Sequence, residues 1–455
     1  MRALMAKCPV NKVRLPNDSA AWLVTGFDQA REVMIDQRYS RALVFAPGRQ
    51  VYGVEATLAD AMIAMDPPEH TRLRKLVAGA FTEKRIQALR PRVARIVDDL
   101  IDSILAGPRP ADLSRSFSLM VPASVICVLL GVPIADVDRF HEWSNAIFAD
   151  WSRSPDKIGE AYASMSRYMS ELITQKRKAP ENDLISVLTE ARDSGDKLTE
   201  DELVQFCIGL LAAGHETTAN SINMSFVALC QHPDELARLS ADPGLIPAAV
   251  EELLRYVIIS GSGFVPLARV TREEVRLGGV TIPAGETVLP SFNVANRDPA
   301  AFDDPDRLDV GRTPKTHLGF GAGAPSLPRR AARPDGTAGG VPRAADPVAR
   351  PAHDRADVRA RIPRGAGHRQ HARAPRHLGR RMTWRVTVDA GQCISSGMCL
   401  ATAPGRFRFD QSQHSRPVRP LTEPDDQIRD AAASCPVEAI LLTDADTGKP
   451  VPLDG

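Results

Sequence analysis

The sequence has no long hydrophobic run: nothing reaches the roughly 18 apolar residues of a membrane-spanning helix, and the N-terminus lacks the apolar core of a signal peptide. It also carries almost no excess charge, since the formal net charge is +1. We therefore expect a cytoplasmic location, with neither a membrane nor nucleic acid as a main partner. The 455 residues are enough for about two to three domains.

Cysteine is too scarce for a disulfide framework, with seven in the whole chain. Four are scattered through the first half in mostly apolar surroundings that are typical of core residues: Cys8, Cys127, Cys207 and Cys230. The other three cluster in the last 63 residues: Cys393, Cys399 and Cys435. The 162 positions between these two groups contain no thiol at all.

Residues 1–324 are predicted to be mainly helical with a minor sheet. Apolar residues recur at three- and four-residue spacing over 84–106 and 198–232, which indicates amphipathic helices. In the stretch 266–292, apolar and polar residues alternate and glycines lie at the expected turns, which indicates short strands.

Residues 325–381 have a different composition. They include 14 arginines but no lysine, glutamate, phenylalanine, tyrosine or tryptophan. A segment so poor in large apolar residues cannot bury a core, so it is predicted to be disordered. Arginine-rich tails often bind nucleic acid, but selection for positive charge seldom excludes lysine entirely.

The folded pattern returns at Met382. A strand is predicted in "MTWRVTVD", a polar helix near 424–433 and a closing strand in "AILLTD", which makes a small α+β domain. A domain of only 74 residues would be stabilised by a metal centre.

Two motifs of the first segment carry polar chemistry. In "MDPPEHTRLRKLV", His70 and Arg74 lie four residues apart on one helix face and could clamp a carboxylate, although a solvated basic face would look the same. In "LLAAGHETTANS", Gly214 weakens a long apolar helix beside Glu216 and Thr217, an acid and an alcohol suited to proton relay or to simple burial. The second histidine of a zinc motif is absent.

These motifs become specific in combination with three others: Glu252 and Arg255 in "EELLRY", "ANRDP" followed by "PDRL" with Arg307, and "HLGFGAG" at 317–323. Across residues 1–324 the chain resembles a bacterial cytochrome P450. The resemblance implies the P450 fold, a haem b, and the insertion of one atom of O2 into a small organic substrate.

The resemblance also assigns roles to individual residues. Four would hold the haem propionates: His70, Arg74, Arg269 and His317. Two would deliver protons to dioxygen: Glu216 and Thr217. Three would form a structural polar network behind the haem: Glu252, Arg255 and Arg307.

The axial ligand of this family is missing. P450 enzymes use a cysteine thiolate, and their pattern F-G-x-G-x-H-x-C-x-G, counted from Phe320, places it at position 327, where this chain has Leu327. The histidine, the following glycine and the next helix of the pattern are absent too. A substitution would change one position, whereas a displaced reading frame changes all of them.

The genetic code permits that displacement. Residues 325–330, "PSLPRR", can be encoded as CCN-TCN-CTN-CCN-CGN-CGN, and reading these codons one base later can give His-His-Cys-Leu-Gly. When the codons of "AARPDGTA" are read in the same shifted frame, they can encode a helix typical of the family. We infer an insertion of one base, or a loss of two, near codon 325. This explains the arginine-rich stretch as out-of-frame coding sequence.

In the last segment, "CISSGMC" places Cys393 and Cys399 six positions apart, and Cys435 precedes a proline. This spacing is close to the pattern C-x-x-C-x-x-C followed by C-P, and over about 382–450 the segment resembles small bacterial ferredoxins. Ser396 stands at the middle cysteine position. Three thiolates suit a [3Fe–4S] cluster, and the alternative is three unrelated thiols.

The sequence therefore predicts a P450 body (1–324), an out-of-frame linker (325–381) and a [3Fe–4S] ferredoxin (382–455) supplied by a ferredoxin reductase. The predicted activity is haem-dependent monooxygenation, impaired by loss of the axial cysteine. Two alternatives remain: an electron-transfer ferredoxin that carries a non-catalytic P450-like scaffold, and an evolved fusion with an arginine-rich linker.

Overall fold

A computed structural model describes the N-terminal segment and the C-terminal domain, and the proposed linker lies outside the described residues. The described ranges are 8–15, 17–49, 61–78, 83–144, 146–147, 155–193, 199–257, 267–322, 383–393, 395–435 and 437–453. Within these ranges no helix is long and apolar enough to cross a membrane.

The N-terminal segment is mainly helical, as predicted. Its α-helices are α1 (Phe27–Ile35), α2 (Glu69–Ala78), α3 (Glu83–Ala106), α4 (Met120–Leu130), α5 (Val137–Ser144), α6 (Pro155–Lys178), α7 (Leu184–Asp193), α8 (Glu200–Gln231), α9 (Pro233–Ala241), α10 (Ile246–Tyr256) and α11 (Phe292–Ala295). The bounds of α3 and α8 confirm the two helices predicted from periodicity. The main apolar core lies among α2 and α4–α8, where buried residues such as Met165, Met169 and Leu211 pack together.

Helix α8 forms the centre of this segment. It begins with a capping box, in which the Thr199 hydroxyl accepts from the Glu202 N–H and the Glu202 carboxylate accepts from the Thr199 N–H. It then packs against α4 and α6. The predicted weakening at Gly214 is wrong, because the helix runs unbroken through it. A Cβ there would lie 2.8 Å from the Ile126 side chain on α4, so the glycine permits close helix packing.

A mixed sheet stands beside the helices. Its strand order is β1-β2-β7-β4-β3, with β2 and β7 parallel and the other pairs antiparallel. The strands are β1 (Val10–Arg14), β2 (Ala20–Val24), β3 (Tyr39–Ser40), β4 (Arg269–Thr271) and β7 (Thr287–Pro290), and a separate hairpin joins β5 (Val275–Leu277) to β6 (Val280–Ile282). The strands β4–β7 confirm the sheet predicted over 266–292.

The C-terminal domain has its own core. The strand β8 (Trp384–Val388) lies between β11 (Leu421–Thr422) and β12 (Ile440–Asp444), antiparallel to both. The remaining elements are α12 (Met398–Thr402), β9 (Phe407–Phe409), β10 (Ser415–Pro417) and α13 (Asp426–Ala433). Trp384, Ile428 and Leu442 are buried together in a separate cluster. This α+β arrangement contains the two strands and the helix predicted from sequence.

Candidate functional site

A buried cluster of basic side chains lies between α2 and β4. His70 and Arg74 are one turn apart on α2, and Arg269 is the first residue of β4. His70 and Arg269 are each 2% exposed. The charges of both arginines contribute to lowering the pKa of His70, so the three groups are close enough to interact. The structure thus brings together three of the four side chains predicted to hold propionates.

Burial is the main cause of the altered pKa values in this cluster. It lowers the pKa of His70 to about 4, against a smaller opposing effect of Asp66. It also lowers the pKa values of Arg74 and Arg269 to about 10. At neutral pH the histidine is therefore uncharged and both arginines remain cations.

Sequence reasoning missed Arg41, a further member of the cluster. This side chain is fully buried, and its Nη1 donates to the Ala268 carbonyl at 3.1 Å, the same carbonyl that accepts from Arg269 Nη1 at 3.1 Å. Asp66 supplies a nearby negative charge, but its oxygens also accept from the Arg41 backbone N–H and from Arg272 Nη2, each at 2.7 Å. No signal in the sequence distinguishes Arg41 from a surface arginine.

Two guanidinium nitrogens of the cluster lack a hydrogen-bond partner in the described part of the chain: Nη2 of Arg41 and Nη2 of Arg269. A buried N–H group without a partner is destabilising by about 1–3 kcal/mol, and more when the group is charged. The cluster therefore favours an anionic ligand that accepts hydrogen bonds at these two atoms.

His317 lies elsewhere. Its ring is buried, Nε2 is 3.1 Å from a Glu251 carboxylate oxygen, and Nδ1 accepts from the Gly319 N–H at 3.0 Å. It lines a small pocket together with Glu252 and Arg255. The structure therefore places His317 beside the polar network rather than among His70, Arg74 and Arg269.

That network is an almost fully buried ion pair on α10. The Arg255 guanidinium donates twice to the Glu252 carboxylate, at 2.7 and 2.8 Å, and also to the backbone carbonyls of Asn296 and Pro305. The side chains of Glu252 and Arg255 are 1% and 2% exposed. The two hydrogen bonds from Arg255 to backbone carbonyls join α10 to the segment that follows α11, while the bidentate pair holds the guanidinium in place.

The predicted third member, Arg307, needs correction. Its side chain is exposed, and it joins the network only through its backbone carbonyl, which accepts from Arg255 and Arg312. The third guanidinium belongs to Arg312, whose Nε donates to Glu252 at 3.0 Å. The sequence pattern identified the loop but the wrong arginine within it.

Glu216 and Thr217 lie in the middle of α8. The Glu216 side chain is half-buried and that of Thr217 is exposed, with its hydroxyl donating to the Ala213 carbonyl one turn earlier. Such a back-bond satisfies the hydroxyl within the helix. To relay a proton, this hydroxyl would have to rotate away from Ala213.

The three C-terminal cysteines line one small cavity. The loop that carries them turns sharply, since Ser395 and Gly397 both adopt left-handed backbone angles (φ 56° and 75°). Apolar side chains complete the lining: Val388, Met398, Phe409 and Ile440. No group of three or more His, Cys, Asp or Glu side chains in the described ranges is placed to hold a single metal ion.

Hydrogen bonds point at each sulfur. The Ser415 N–H donates to Cys393 Sγ and the Ala439 N–H to Cys435 Sγ, both at 3.3 Å, while the Ser415 hydroxyl lies 3.0 Å from Cys399 Sγ. Burial is the main cause that raises the pKa of Cys399 to about 12 and raises the pKa of Cys435. Without a metal these are thiols, and iron would displace their protons.

Comparison with known proteins decides the family. The cytochrome P450 family model matches residues 13–242 and 244–325. The chain belongs to the cytochrome P450 family. A second model, the 4Fe-4S single cluster domain of Ferredoxin I, matches residues 388–442. This P450 therefore also carries a ferredoxin-type domain.

Its relatives are bacterial P450 enzymes. Mycinamicin IV hydroxylase/epoxidase of Micromonospora griseorubida is 46% identical over 317 residues, which cover 69% of this chain and 79% of that protein. The monooxygenase PikC of Streptomyces venezuelae is 44% identical over 323 residues, 70% of this chain and 76% of that protein. The crystal structure of the LnmA P450 hydroxylase from Streptomyces atroolivaceus is similar with a TM-score of 0.67 at 42% identity, over 71% of this chain and 82% of that one.

The P450 family implies a haem, and the ferredoxin-type domain implies an iron–sulfur cluster. The basic cluster fits the haem, because Arg41 and Arg269 each present a buried N–H group without a partner in the described structure and carboxylates are suitable acceptors. The cysteine cavity fits a cluster held by thiolates.

His70 should make the stability of the cofactor-free P450 pH-dependent. Its pKa falls from 6.5 to about 4 on folding, so the unfolded chain binds the proton more readily and stability declines as the pH drops through this window. When the pH is lowered from 7 to 5, the unfolding free energy of the unsubstituted chain should fall by about 2 kcal/mol more than that of the His70→Gln variant. Urea unfolding at both pH values measures this, and equal declines would refute it.

Breaking the buried pair should destabilise the P450 body strongly. Glu252→Gln leaves Arg255 and Arg312 without their shared carboxylate, so we expect a loss of about 3–5 kcal/mol in unfolding free energy. The matched control is Glu273→Gln, an exposed carboxylate whose loss should change stability by less than about 0.5 kcal/mol. Urea unfolding with equal effects for both variants would contradict the structural role of the network.

Proposed function

We propose that residues 1–324 are the body of a haem-dependent monooxygenase of a small organic substrate and that residues 382–455 are a [3Fe–4S] ferredoxin that donates electrons to it. We further propose that this chain is impaired, because its axial cysteine is encoded out of frame within residues 325–381. The observation that carries the haem proposal is the pair of unpartnered guanidinium N–H groups of Arg41 and Arg269 in a buried basic cluster.

Each residue of the site has a defined task in this proposal. Haem, when bound, supplies the iron at which O2 is activated. Arg74, Arg269 and Arg41 neutralise and hydrogen-bond its propionates, and neutral His70 donates a further hydrogen bond. His317 is the fourth propionate candidate, and it would need to leave Glu251 to take that role.

Proton delivery is assigned to α8. Glu216 holds a proton on its half-buried carboxyl, and the Thr217 hydroxyl passes it on once it releases the Ala213 carbonyl. Dioxygen and an external ferredoxin reductase are the implied co-substrate and electron source, with a cytoplasmic location.

Two observations support the frame displacement. The P450 match ends at residue 325, and the chain spans about four fifths of the relatives that it matches. In addition, large apolar side chains are exposed on two helices of the body, which is unusual for segments that should lie inside a P450: Ile101 and Leu105 on α3, and Met224, Phe226 and Val227 on α8. A displaced frame leaves these side chains without the segment that evolved to cover them.

The missing thiolate can be tested by spectroscopy. The reduced chain with carbon monoxide should lack the thiolate-type Soret band, whereas a chain with the frame restored from codon 325 should show it. Leu327→Cys in the unrestored chain is the matched control and should also fail, because the surrounding histidine, glycine and helix remain absent. A full thiolate band from the unaltered chain would overturn the proposal.

The three-iron cluster is proposed from the donor set. The matched family describes a 4Fe-4S domain, but Ser396 stands where its second cysteine would be and lines the cavity between Cys393 and Cys399. Serine oxygen is a poor substitute for thiolate at iron, so one corner of the cubane lacks its ligand.

Iron analysis and electron paramagnetic resonance test the cluster type. We expect three irons and four sulfides per chain, with a resonance in the oxidised form that disappears on one-electron reduction. Ser396→Cys should raise the content to four irons, while Cys230→Ser, which removes a thiol far along the chain, should change nothing. Four irons in the unaltered chain would show the three-iron assignment to be wrong.

A second candidate function is an electron carrier with a non-catalytic P450-like scaffold. It is favoured by the core of the C-terminal domain, in which Trp384 and Leu442 are buried among residues of that domain alone. Haem content separates the two proposals, since the monooxygenase requires one haem per chain and the carrier requires none.

A further inference from the structure

The cluster loop lies against the P450 body in this structure. The ring of Phe409 and the loop residues Ser395, Gly397 and Met398 line the cysteine cavity, and each of them also contacts helix α1. Helix α1 is about 360 residues earlier in the chain, so these contacts join the two domains.

Arg31 makes the polar part of this contact. Helix α1 is on the side of the body that faces the other domain, and the Arg31 residue is only 5% exposed. One guanidinium nitrogen, Nη2, donates to the Ser395 carbonyl at 3.0 Å, and Nη1 donates to the Gln413 side chain. The guanidinium carbon lies 3.7 Å from the centre of the Phe409 ring, which is a close cation–π contact.

Ile35 makes the apolar part, one turn further along α1. It packs against Met398 and Ala401 of α12, which are 2% and 3% exposed. A Cβ at Gly397 would lie 2.6 Å from the Ile35 Cδ1 atom, so the surfaces approach closely there. Gln37 adds a hydrogen bond from Nε2 to the Ala401 carbonyl at 2.7 Å.

A second contact links the domains near the basic cluster. Helix α13 of the C-terminal domain touches α2, the helix that carries His70 and Arg74. The C-terminal domain therefore contacts the body in two places: at its cysteine loop, and beside α2, a helix of the proposed haem site.

We propose that α1 is a docking surface for the cluster loop of the same chain and that Arg31 is its anchor. The contact has the chemistry of an interface hot spot: a desolvated arginine on an aromatic ring, surrounded by small apolar contacts. The docking stands on its own contacts, whereas its use as an intramolecular route for electrons rests on the proposed function.

Hydrogen exchange in the full chain tests the docking. In Arg31→Ala, and independently in Ile35→Glu, the amides of 27–35 and 398–402 should exchange about tenfold faster, because the docked state is lost. The matched control is Glu32→Gln, an exposed charge on the same helix, which should leave both segments unchanged. Arg31→Lys should give an intermediate effect, since lysine keeps the charge but cannot bond two acceptors in the same plane.

Two results would overturn the proposal. One is unchanged exchange in 398–402 for both Arg31→Ala and Ile35→Glu. The other is faster exchange throughout the C-terminal domain, including the strand Trp384–Val388, which would make Arg31 a folding residue rather than an anchor. Iron content is measured on the same samples: a chain without iron contradicts the proposed cluster, while the exchange pattern still decides the docking.

Discussion

The P450 body depends on a buried basic cluster in which Arg41 Nη2 and Arg269 Nη2 have no hydrogen-bond partner among the described residues. Arg41, Arg74 and Arg269 are drawn together by α2, β4 and the turn after β3, and burial lowers the pKa of all three. Asp66 offsets part of this charge but is itself shared with Arg272. Such an arrangement is tolerable only if an anion completes it, so the fold and the cofactor are energetically linked.

The ion-pair network of Glu252 shows how charge is buried when it is matched. Glu252 accepts from both Arg255 and Arg312, and the remaining N–H groups of Arg255 are taken up by backbone carbonyls. This complete network needs no ligand and can only support structure. The basic cluster of Arg41 and Arg269, in contrast, still has two N–H groups that a ligand could bind. Satisfaction of hydrogen bonds, rather than the presence of charge, thus separates the binding site from the scaffold.

Motifs with local spacing were predictable from the sequence, and long-range partners were not. His70 and Arg74, like Glu252 and Arg255, lie within one helical turn of each other, so the sequence itself sets their proximity. Arg41 and Arg312 enter their sites across long sequence separations, which periodicity cannot reveal. His317 was placed by analogy with a motif, and its ring contacts Glu251 instead. The core of the helices followed from apolar spacing, whereas the strand order β1-β2-β7-β4-β3 depends on pairings between distant segments.

The two domains depend differently on the segment between them. In the C-terminal domain, β8 pairs on both edges, and each cysteine sulfur is in a hydrogen bond with a residue of 393–439, so all of these contacts come from outside residues 325–381. In the body, α8 is capped and packed on α4 and α6, yet Met224, Phe226 and Val227 remain exposed. The frame displacement that we propose would remove the chemistry of the first domain while sparing the second, because the second domain builds its core and its cysteine cavity from its own residues.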